Sequence, residues 1–434
     1  MASPNQLARA VAAALTFAVG TASAGQLDYN LYAGAEQSDN INLASQHPVS
    51  QSVLIPGLNF VYDQQGADLK AHVLGNLEYR NYPGGKFNDQ TQLELAGQAA
   101  WTLAPERLDL TVQDYAGVQP LDTLASNAPG NQQQTNVFAI GPVVHFRLGD
   151  SLRGQGELRY IDSHAEKTHQ FDSRRGQAAL RVLKDLSPAE QLSFNLDTER
   201  VDLYNDATTS NYSRHELFGR YTSKLAHFDL DVALGASQID FDRADTHTQS
   251  SPLARVSADW RASQRSTFTL SATRQYADAA QDMMLRPGEA ALGNTHGINT
   301  GDAVVSSQVY LERTLELTYA LHTERLTLSV SPRYRKLGYS GDTTFDQSGR
   351  GGNLAIDFRL RPALTLSAFA EDETLSYQTL DRRDRTLIAG IGLTDQWTRH
   401  WSWRASLLHQ RRNSNVADQG FHENQIYFGV VYKR

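Results

Sequence analysis

Apolar and polar side chains alternate along most of the chain, and residues 353–361 show the pattern clearly. The apolar positions are Leu354, Ile356, Phe358 and Leu360, and most positions between them are charged. Because successive side chains of a strand point to opposite faces, this pattern predicts a strand with one apolar and one polar face. Pro362 interrupts the pattern and predicts a turn, and the alternation resumes at Leu364. The stretch predicts a hairpin whose apolar face packs on a core in a soluble sheet, or meets lipid in an outer-membrane barrel.

The same alternation recurs along the whole chain and decides between these two folds. It predicts nine hairpins with a single strand at each end, about twenty strands, with eighteen as the alternative. Short turns rich in Pro, Gly, Ser and Asp alternate with longer polar connections at 37–50, 116–133, 278–302, 338–351 and 413–422. Short periplasmic turns, long extracellular loops and an even strand number are typical of bacterial barrels. The sequence predicts an all-β fold, a single antiparallel transmembrane up-and-down β-barrel.

The N-terminus predicts the compartment. Arg9 precedes an apolar run at 10–22, and Ala22-Ser23-Ala24 forms a small-x-small cleavage site before Gly25. This arrangement is typical of a secretory signal peptide. No later apolar run approaches the roughly 20 residues that a spanning helix needs. We expect a signal peptide at 1–24, a barrel at 25–434, and a location in the bacterial outer membrane, in contact with its lipid.

The tryptophans are unevenly distributed along the predicted strands. All of them lie beside predicted short turns, and none lies in mid-strand or in a long loop. Tryptophan prefers the membrane interface, where its ring is buried and its N–H group stays hydrated. The alternative is that aromatic residues simply favour strands, which leaves the bias towards one end unexplained. We therefore predict an interface girdle of Trp101, Trp260, Trp397, Trp401 and Trp403.

Charge and composition exclude some partners and leave others open. The net charge is −8 with acids and bases mixed, so there is no basic footprint for nucleic acid. Cysteine is absent, which excludes disulfides and cysteine metal sites. The mean hydropathy of −0.47 argues against helical membrane spans but suits strands that are half polar.

The strand faces predicted to point inward are rich in charge. A barrel of about twenty strands has a lumen too wide for side chains alone to fill, so these charges would face water or a polar solute. The alternative is wall-to-wall salt bridging that only keeps the lumen wet and rigid. The lumen-lining candidates are Lys70, Arg153, Arg159, Arg181, Arg255, Glu312, Glu316, Arg333, Arg335, Asp357, Arg359 and Arg404.

The longest connection, 278–302, contains Ala279-Ala280-Gln281-Asp282-Met283-Met284-Leu285. It predicts either a segment that folds into the pore mouth or a surface loop with one helical turn. Both alternatives stay open from the sequence.

Catalytic chemistry has little support in the sequence. There is no G-x-S-x-G motif, no glycine-rich phosphate loop and no histidine spacing typical of a metal site. His164 and His169, or His409 and His422, would have to meet in space to form a site. The sequence predicts a non-enzyme with no cofactor, metal or catalytic residue.

A resemblance to a known family begins where the first predicted strand ends. The stretch Tyr32-Ala33-Gly34-Ala35-Glu36-Gln37-Ser38-Asp39-Asn40-Ile41-Asn42 resembles the start of EpsL-type exopolysaccharide biosynthesis proteins and of the Putative beta-barrel porin 2 group. In those proteins Asp-Asp-Asn or Thr-Asp-Asn occupies the positions of Ser38, Asp39 and Asn40, so Ser38 is a departure. An Asx turn at a strand end would explain Asp39-Asn40 equally well. The resemblance implies an outer-membrane barrel associated with making or exporting extracellular polysaccharide.

Three functions follow from these observations. The first is a channel for exopolysaccharide export or assembly, in which a polysaccharide chain crosses a hydrated, mixed-charge lumen passively and periplasmic export components are partners. The second is a general or solute-specific uptake porin, whose mark would be a constriction with acids facing bases, often from an infolded loop. The third is an outer-membrane enzyme that modifies lipid or polymer, whose mark would be a Ser–His–acid cluster at the outer rim.

Overall fold

A computed structural model of the chain describes residues 25–204, 210–242, 248–285, 306 and 308–434. The predicted signal peptide and the part of the 278–302 connection after residue 285 lie outside the described residues. None of the described helices is long and apolar enough to cross a membrane.

Twenty antiparallel strands make up nearly all of the described structure. In chain order they are β1 (Gln26–Ser38), β2 (Gln51–Gln65), β3 (Leu69–Arg80), β4 (Gln90–Ala104), β5 (Leu108–Pro120), β6 (Gln132–Arg147), β7 (Leu152–Ala165), β8 (Ser173–Ser187), β9 (Glu190–Leu203), β10 (Tyr212–Lys224), β11 (Phe228–Phe241), β12 (Gln249–Arg261), β13 (Ser266–Ala277), β14 (Tyr310–His322), β15 (Leu326–Tyr339), β16 (Gln347–Arg361), β17 (Leu364–Tyr377), β18 (Arg382–Gln396), β19 (Trp401–Ser414) and β20 (Phe421–Lys433). One α-helix, α1 (Ala279–Leu285), follows β13.

Each strand pairs with its neighbours in the chain, and the last strand pairs with the first. The closing ladder runs from Asn30 opposite Lys433 to Ser38 opposite Gln425. A closed ladder leaves no strand edge unpaired, which is the condition for a sheet to exist in hydrocarbon. The predicted fold, a closed antiparallel barrel of about twenty strands, is confirmed.

The two faces of this sheet differ as the alternation predicts. One face carries large apolar side chains that remain exposed, including Leu158, Phe194 and Leu217 at 61–64% exposure. Water-soluble proteins rarely leave contiguous apolar surface uncovered. The other face carries most of the charge and packs against α1. The apolar face is therefore the outer wall, and the charged face surrounds the lumen.

The structure corrects several predicted boundaries. β5 and β6 extend into the predicted 116–133 connection, and β15 and β16 extend into 338–351. The starts of β6 and β16 are polar on both faces, so alternation no longer marks them although the ladder continues. β14 starts at Tyr310, several residues after the end of the predicted 278–302 connection. The connection at 378–381 is itself short, so not every extracellular connection is long.

Candidate channel lumen

Helix α1 lies inside the barrel, near the end where the long connections are. It follows β13 and packs against β6 and β7, which lie seven and six strands away along the wall. Ala279, Ala280 and Met283 contact a cluster that includes Val137 and Ile161, and all of these side chains are buried. The small alanine side chains allow the helix close to the wall. For residues 278–285, the described part of this connection, the structure contains the inward alternative.

Asp278 holds the start of this helix. Its Oδ1 accepts from the backbone N–H of Gln281 at 3.0 Å, as an N-terminal cap does. Its Oδ2 lies 2.6 Å from Nη1 of Arg175 on β8, and the hydroxyl of Tyr212 on β10 also donates to it. The Arg175 and Asp278 side chains are 2% and 3% exposed. Such a charge pair is stable out of water only because its polar atoms are satisfied.

A second carboxylate, one helical turn later, is held in the same way. Oδ2 of Asp282 lies 2.5 Å from Nη2 of Arg335 on β15, and the Tyr310 hydroxyl donates to it at 2.7 Å. Nε of Arg335 also lies 3.2 Å from Glu312. Between these two contacts, Arg214 on β10 donates to Gln281 and to Glu199. Three arginines from three strands thus fix the helix inside the barrel.

The acidity of Asp278 shows that this site favours the charged form. Burial alone would raise the pKa of this carboxyl. The charge of Arg175, with hydrogen bonds from Arg175, Tyr212 and the Gln281 amide, outweighs burial and lowers the pKa to about 2. The ion pair is therefore intact throughout the physiological range.

A second segment crosses the mouth of the lumen from another direction. Residues 121–131 connect β5 to β6 and reach β18 and β19 on the far wall. Arg382 donates to the carbonyl oxygen of Leu124 at 2.6 Å, and Arg412 donates to that of Ala125 at 3.3 Å. Asn131 shapes the segment through hydrogen bonds to Asp122 and Ser126. We call residues 121–131 the strap.

The half of the lumen near the short turns differs from this mouth. Its ion pairs are exposed, for example Arg153–Asp185 at 2.7 Å with side chains 52% and 41% exposed. Arg261–Asp229 at 3.0 Å is similar. Charges in this half face open space, as a hydrated passage requires.

The twelve lumen-lining candidates all lie on the charged face of the sheet. The strand register places cross-strand partners on the same face, and the side chains of these candidates point away from the apolar outer wall. Glu312 and Arg335 are in direct contact. Arg159 and Arg181 both pair with Glu157, and Nη1 of Arg181 lies 2.7 Å from Oε2 of Glu157. Arg255 pairs with Glu216 at 2.8 Å, and Arg333 pairs with Glu373 at 3.0 Å although Glu316 is its register partner.

The remaining candidates are not brought together. Ser367 donates to Asp357 at 2.5 Å. Lys70, Arg359 and Arg404 form no ion pair within the described ranges. The residues that fix α1 and the strap were mostly absent from the candidate set: Arg175, Tyr212, Arg214, Asp278, Asp282, Tyr310, Arg382 and Arg412. The sequence does contain one signal of this helix. Asp278 and Asp282 are four residues apart, and with Ala279, Ala280 and Met283 they indicate a helix with one acidic and one apolar side.

The family-like motif closes the barrel. Ser38 donates to Glu423 at 2.5 Å, and Asp39 accepts from the backbone and side chain of Asn424 at 2.8 and 2.7 Å. Asn40 donates to the His422 carbonyl at 2.8 Å. The motif thus joins the end of β1 to the start of β20.

The tryptophans lie at the short-turn ends of their strands. Trp101, Trp260, Trp397 and Trp401 are 46–58% exposed on the outer wall. Trp403 stacks on Phe428 with ring centroids 6.2 Å apart. This placement is the one that an interface girdle needs.

A catalytic site in this chain would centre on its histidines. His164 and His169 do meet, but both face the carboxylate of Asp172, at 3.3 and 3.0 Å. On the outer wall, Thr198 lies 2.8 Å from Nδ1 of His215, while Asp240 is 4.0 Å from Nε2. The second distance is too long for a hydrogen bond that orients a base. The described ranges contain no group of three or more side chains that could hold a metal ion.

Comparison with known proteins adds a partial family match. A family model described as Putative beta-barrel porin 2 matches residues 347–434, which form β16 to β20. No curated protein matches the chain.

Solved structures match over most of the chain at low identity. The ferric enterobactin receptor PfeA of Pseudomonas aeruginosa, in complex with BCV-L6, is 10% identical with a TM-score of 0.49, covering 95% of this chain and 82% of that one. The FrpB iron transporter of Neisseria meningitidis (F3-3 variant) is 9% identical with a TM-score of 0.45, covering 98% and 83%. OccK2 (OpdF) of P. aeruginosa is 10% identical with a TM-score of 0.40, covering 94% and 98%.

The class of the protein follows from its own geometry. The chain forms a closed antiparallel barrel with an apolar outer wall and a charged lumen, which is a porin-like architecture. An infolded helix and a strap narrow one end.

Proposed function

We propose that the protein is an outer-membrane channel through which small polar solutes pass passively. The observation that carries this proposal is the infolded helix α1, whose Asp278 and Asp282 face the wall arginines Arg175 and Arg335. An infolded constriction of opposed charges is the mark expected of a solute porin. A hydrated lumen behind it exchanges hydrogen bonds with a polar solute without holding it.

Conductance across a planar bilayer tests this proposal. The purified protein is expected to form open channels, and the double variant Asp278→Ala/Asp282→Ala is expected to conduct more because α1 loses both anchors. The control Asp185→Ala removes an exposed partner near the short turns and should leave the constriction in place. A wild-type protein that never conducts, or a double variant with unchanged conductance, would contradict the proposal.

A second candidate function is exopolysaccharide export or assembly. The observation that favours it is the resemblance of the stretch around Ser38-Asp39-Asn40 to EpsL-type exopolysaccharide biosynthesis proteins. A polymer would need α1 and the strap to yield, because both cross the mouth. Deleting the gene should then abolish surface polysaccharide while leaving small-solute uptake intact. Loss of solute uptake with normal polysaccharide would favour the first proposal.

A further inference from the structure

Basic residues cluster on the outer wall of strands β14, β15, β16 and β18. They lie at the edge of the apolar band that is nearest the long connections. On β14, Arg313 is the next outward residue beyond the exposed Leu315, and on β15 Lys336 follows Tyr334 in the same way. On β18, Arg383 lies beyond Leu387, towards the long connections.

The register makes these residues neighbours across the strands. Arg313 lies opposite Lys336, Lys336 opposite Ser348, Ser348 opposite Ser376, and Ser376 opposite Arg383. Arg350 lies one row closer to the apolar band, opposite Tyr334 and Thr374. We call Arg313, Lys336, Arg350 and Arg383 the basic rim.

Part of this surface is concave. A pocket of about 290 Å³ opens there, and it combines two guanidinium groups with hydroxyl groups. Its side-chain lining is Tyr334, Ser348, Arg350, Thr374, Ser376 and Arg383. Guanidinium and hydroxyl groups together are the donors that bind phosphate oxygens.

The basic rim is not neutralised by the protein. Among the residues that the structure describes, none of its four side chains forms an ion pair. The outward acid Asp372 is engaged by Arg385 at 2.6 and 2.9 Å. In a chain with a net charge of −8, uncompensated bases in adjacent strands repel one another unless an anion lies between them.

The opposite part of the outer wall has the reverse arrangement. Arg200 on β9 pairs with Asp202 at 3.1 Å and with Asp242. Arg174 on β8 donates to Tyr204. Among the described residues, Arg174 and Arg200 therefore have partners within the protein, whereas the four basic-rim side chains form no ion pair.

We propose that the basic rim binds the phosphate groups of a phosphorylated glycolipid in the outer leaflet of the membrane. The exposed apolar residues below it, such as Leu315 and Leu354, contact the acyl chains. Phosphate oxygens receive paired N–H donors from Arg350 and Arg383, and Arg313 and Lys336 neutralise a second phosphate. This inference rests on the proposed membrane location but not on what the channel carries.

Native mass spectrometry of the full-length protein in detergent tests this binding. The probes are bis-phosphorylated lipid A and the same lipid after enzymatic dephosphorylation. The test variant is Arg313→Gln/Lys336→Gln/Arg350→Gln/Arg383→Gln, and the matched control is Arg174→Gln/Arg200→Gln on the opposite wall. We expect wild type and control to retain the phosphorylated lipid, and the test variant to lose about tenfold or more of it.

Each outcome decides the proposal. Weak binding of the dephosphorylated lipid to wild type supports it, whereas equal binding of the two lipids overturns it. Undiminished binding by the test variant also overturns it, as does displacement by millimolar inorganic phosphate, which would indicate a free-anion site. Unheated gel mobility reports folding, and Arg350→Gln/Arg383→Gln replaces the quadruple variant if that one fails to fold. Conductance of the same variants should not change, so this result and the channel proposal fail separately.

Discussion

The two ends of the lumen use the same residue types for opposite purposes. At the mouth, Arg175, Arg335 and their carboxylate partners are almost fully buried and hold α1. Near the short turns, pairs such as Arg153–Asp185 remain about half exposed. Exposed pairs contribute little to stability, whereas breaking a buried pair leaves an uncompensated charge. Charge at the mouth is therefore structural, and charge at the other end keeps the passage wet.

The largest expected effect comes from removing an arginine at the mouth. Arg335→Ala removes the guanidinium that pairs with the buried Asp282 and Glu312, which should cost about 3–5 kcal/mol locally. We expect higher conductance and a lower thermal unfolding midpoint. The comparison variant is Arg153→Ala at the wet end, where the cost should stay below about 1 kcal/mol. Equal effects of the two substitutions would break the distinction between the ends.

The strap should contribute less than the helix. Arg382→Gln shortens the donor that reaches the Leu124 carbonyl, and hydrogen bonds to charged groups contribute about 1.5–3 kcal/mol. We expect faster proteolysis within residues 121–131 and a moderate rise in conductance. Arg383→Gln is the matched control, because the neighbouring side chain points to the outer wall. Identical proteolysis of both variants would mean that Arg382 does not hold the strap.

Acid should release the helix anchor at Asp278. A lowered pKa means that the carboxylate stabilises the fold above the ordinary carboxyl pKa of about 4, and that this contribution is lost as pH falls towards the folded value of about 2. Conductance should therefore rise between about pH 4 and 2. The conductance of the variant Asp278→Asn should already be high at neutral pH, and it should not rise further between about pH 4 and 2. A step that persists in the variant would assign the titration to another group.

The smallest effect is expected at the ladder between β1 and β20 that closes the barrel. Burial raises the pKa of Asp39, but hydrogen bonds from Asn424 lower it more, so its pKa lies below the ordinary range. Asp39→Ala should lower the urea midpoint at pH 7 by an amount equivalent to less than about 1 kcal/mol, since the pair is exposed. The difference from wild type should disappear as pH falls through the pKa of Asp39. A deficit unchanged in acid would mean that the charge is not responsible.

The sequence alone determined the barrel. Alternation with period two assigns each residue to a face, and Leu354, Ile356 and Phe358 define the apolar face without reference to any distant part of the chain. The same regularity gave the twenty strands and the inward side of all twelve candidate charges. It stopped where both faces become polar, as at the starts of β6 and β16, which is why the sequence predicts that these two strands begin later than they do.

Only the tertiary structure decided what these charges do. Arg175 on β8 and Asp278 after β13 are five strands apart in the barrel, and Arg382 meets Leu124 from more than half a chain away, so no local pattern connects them. The fold of α1 into the barrel depends on closure of the whole sheet, which first creates the cavity that the helix occupies. Alternation fixes which way a side chain points, but its partner is set by the curvature that brings distant strands face to face.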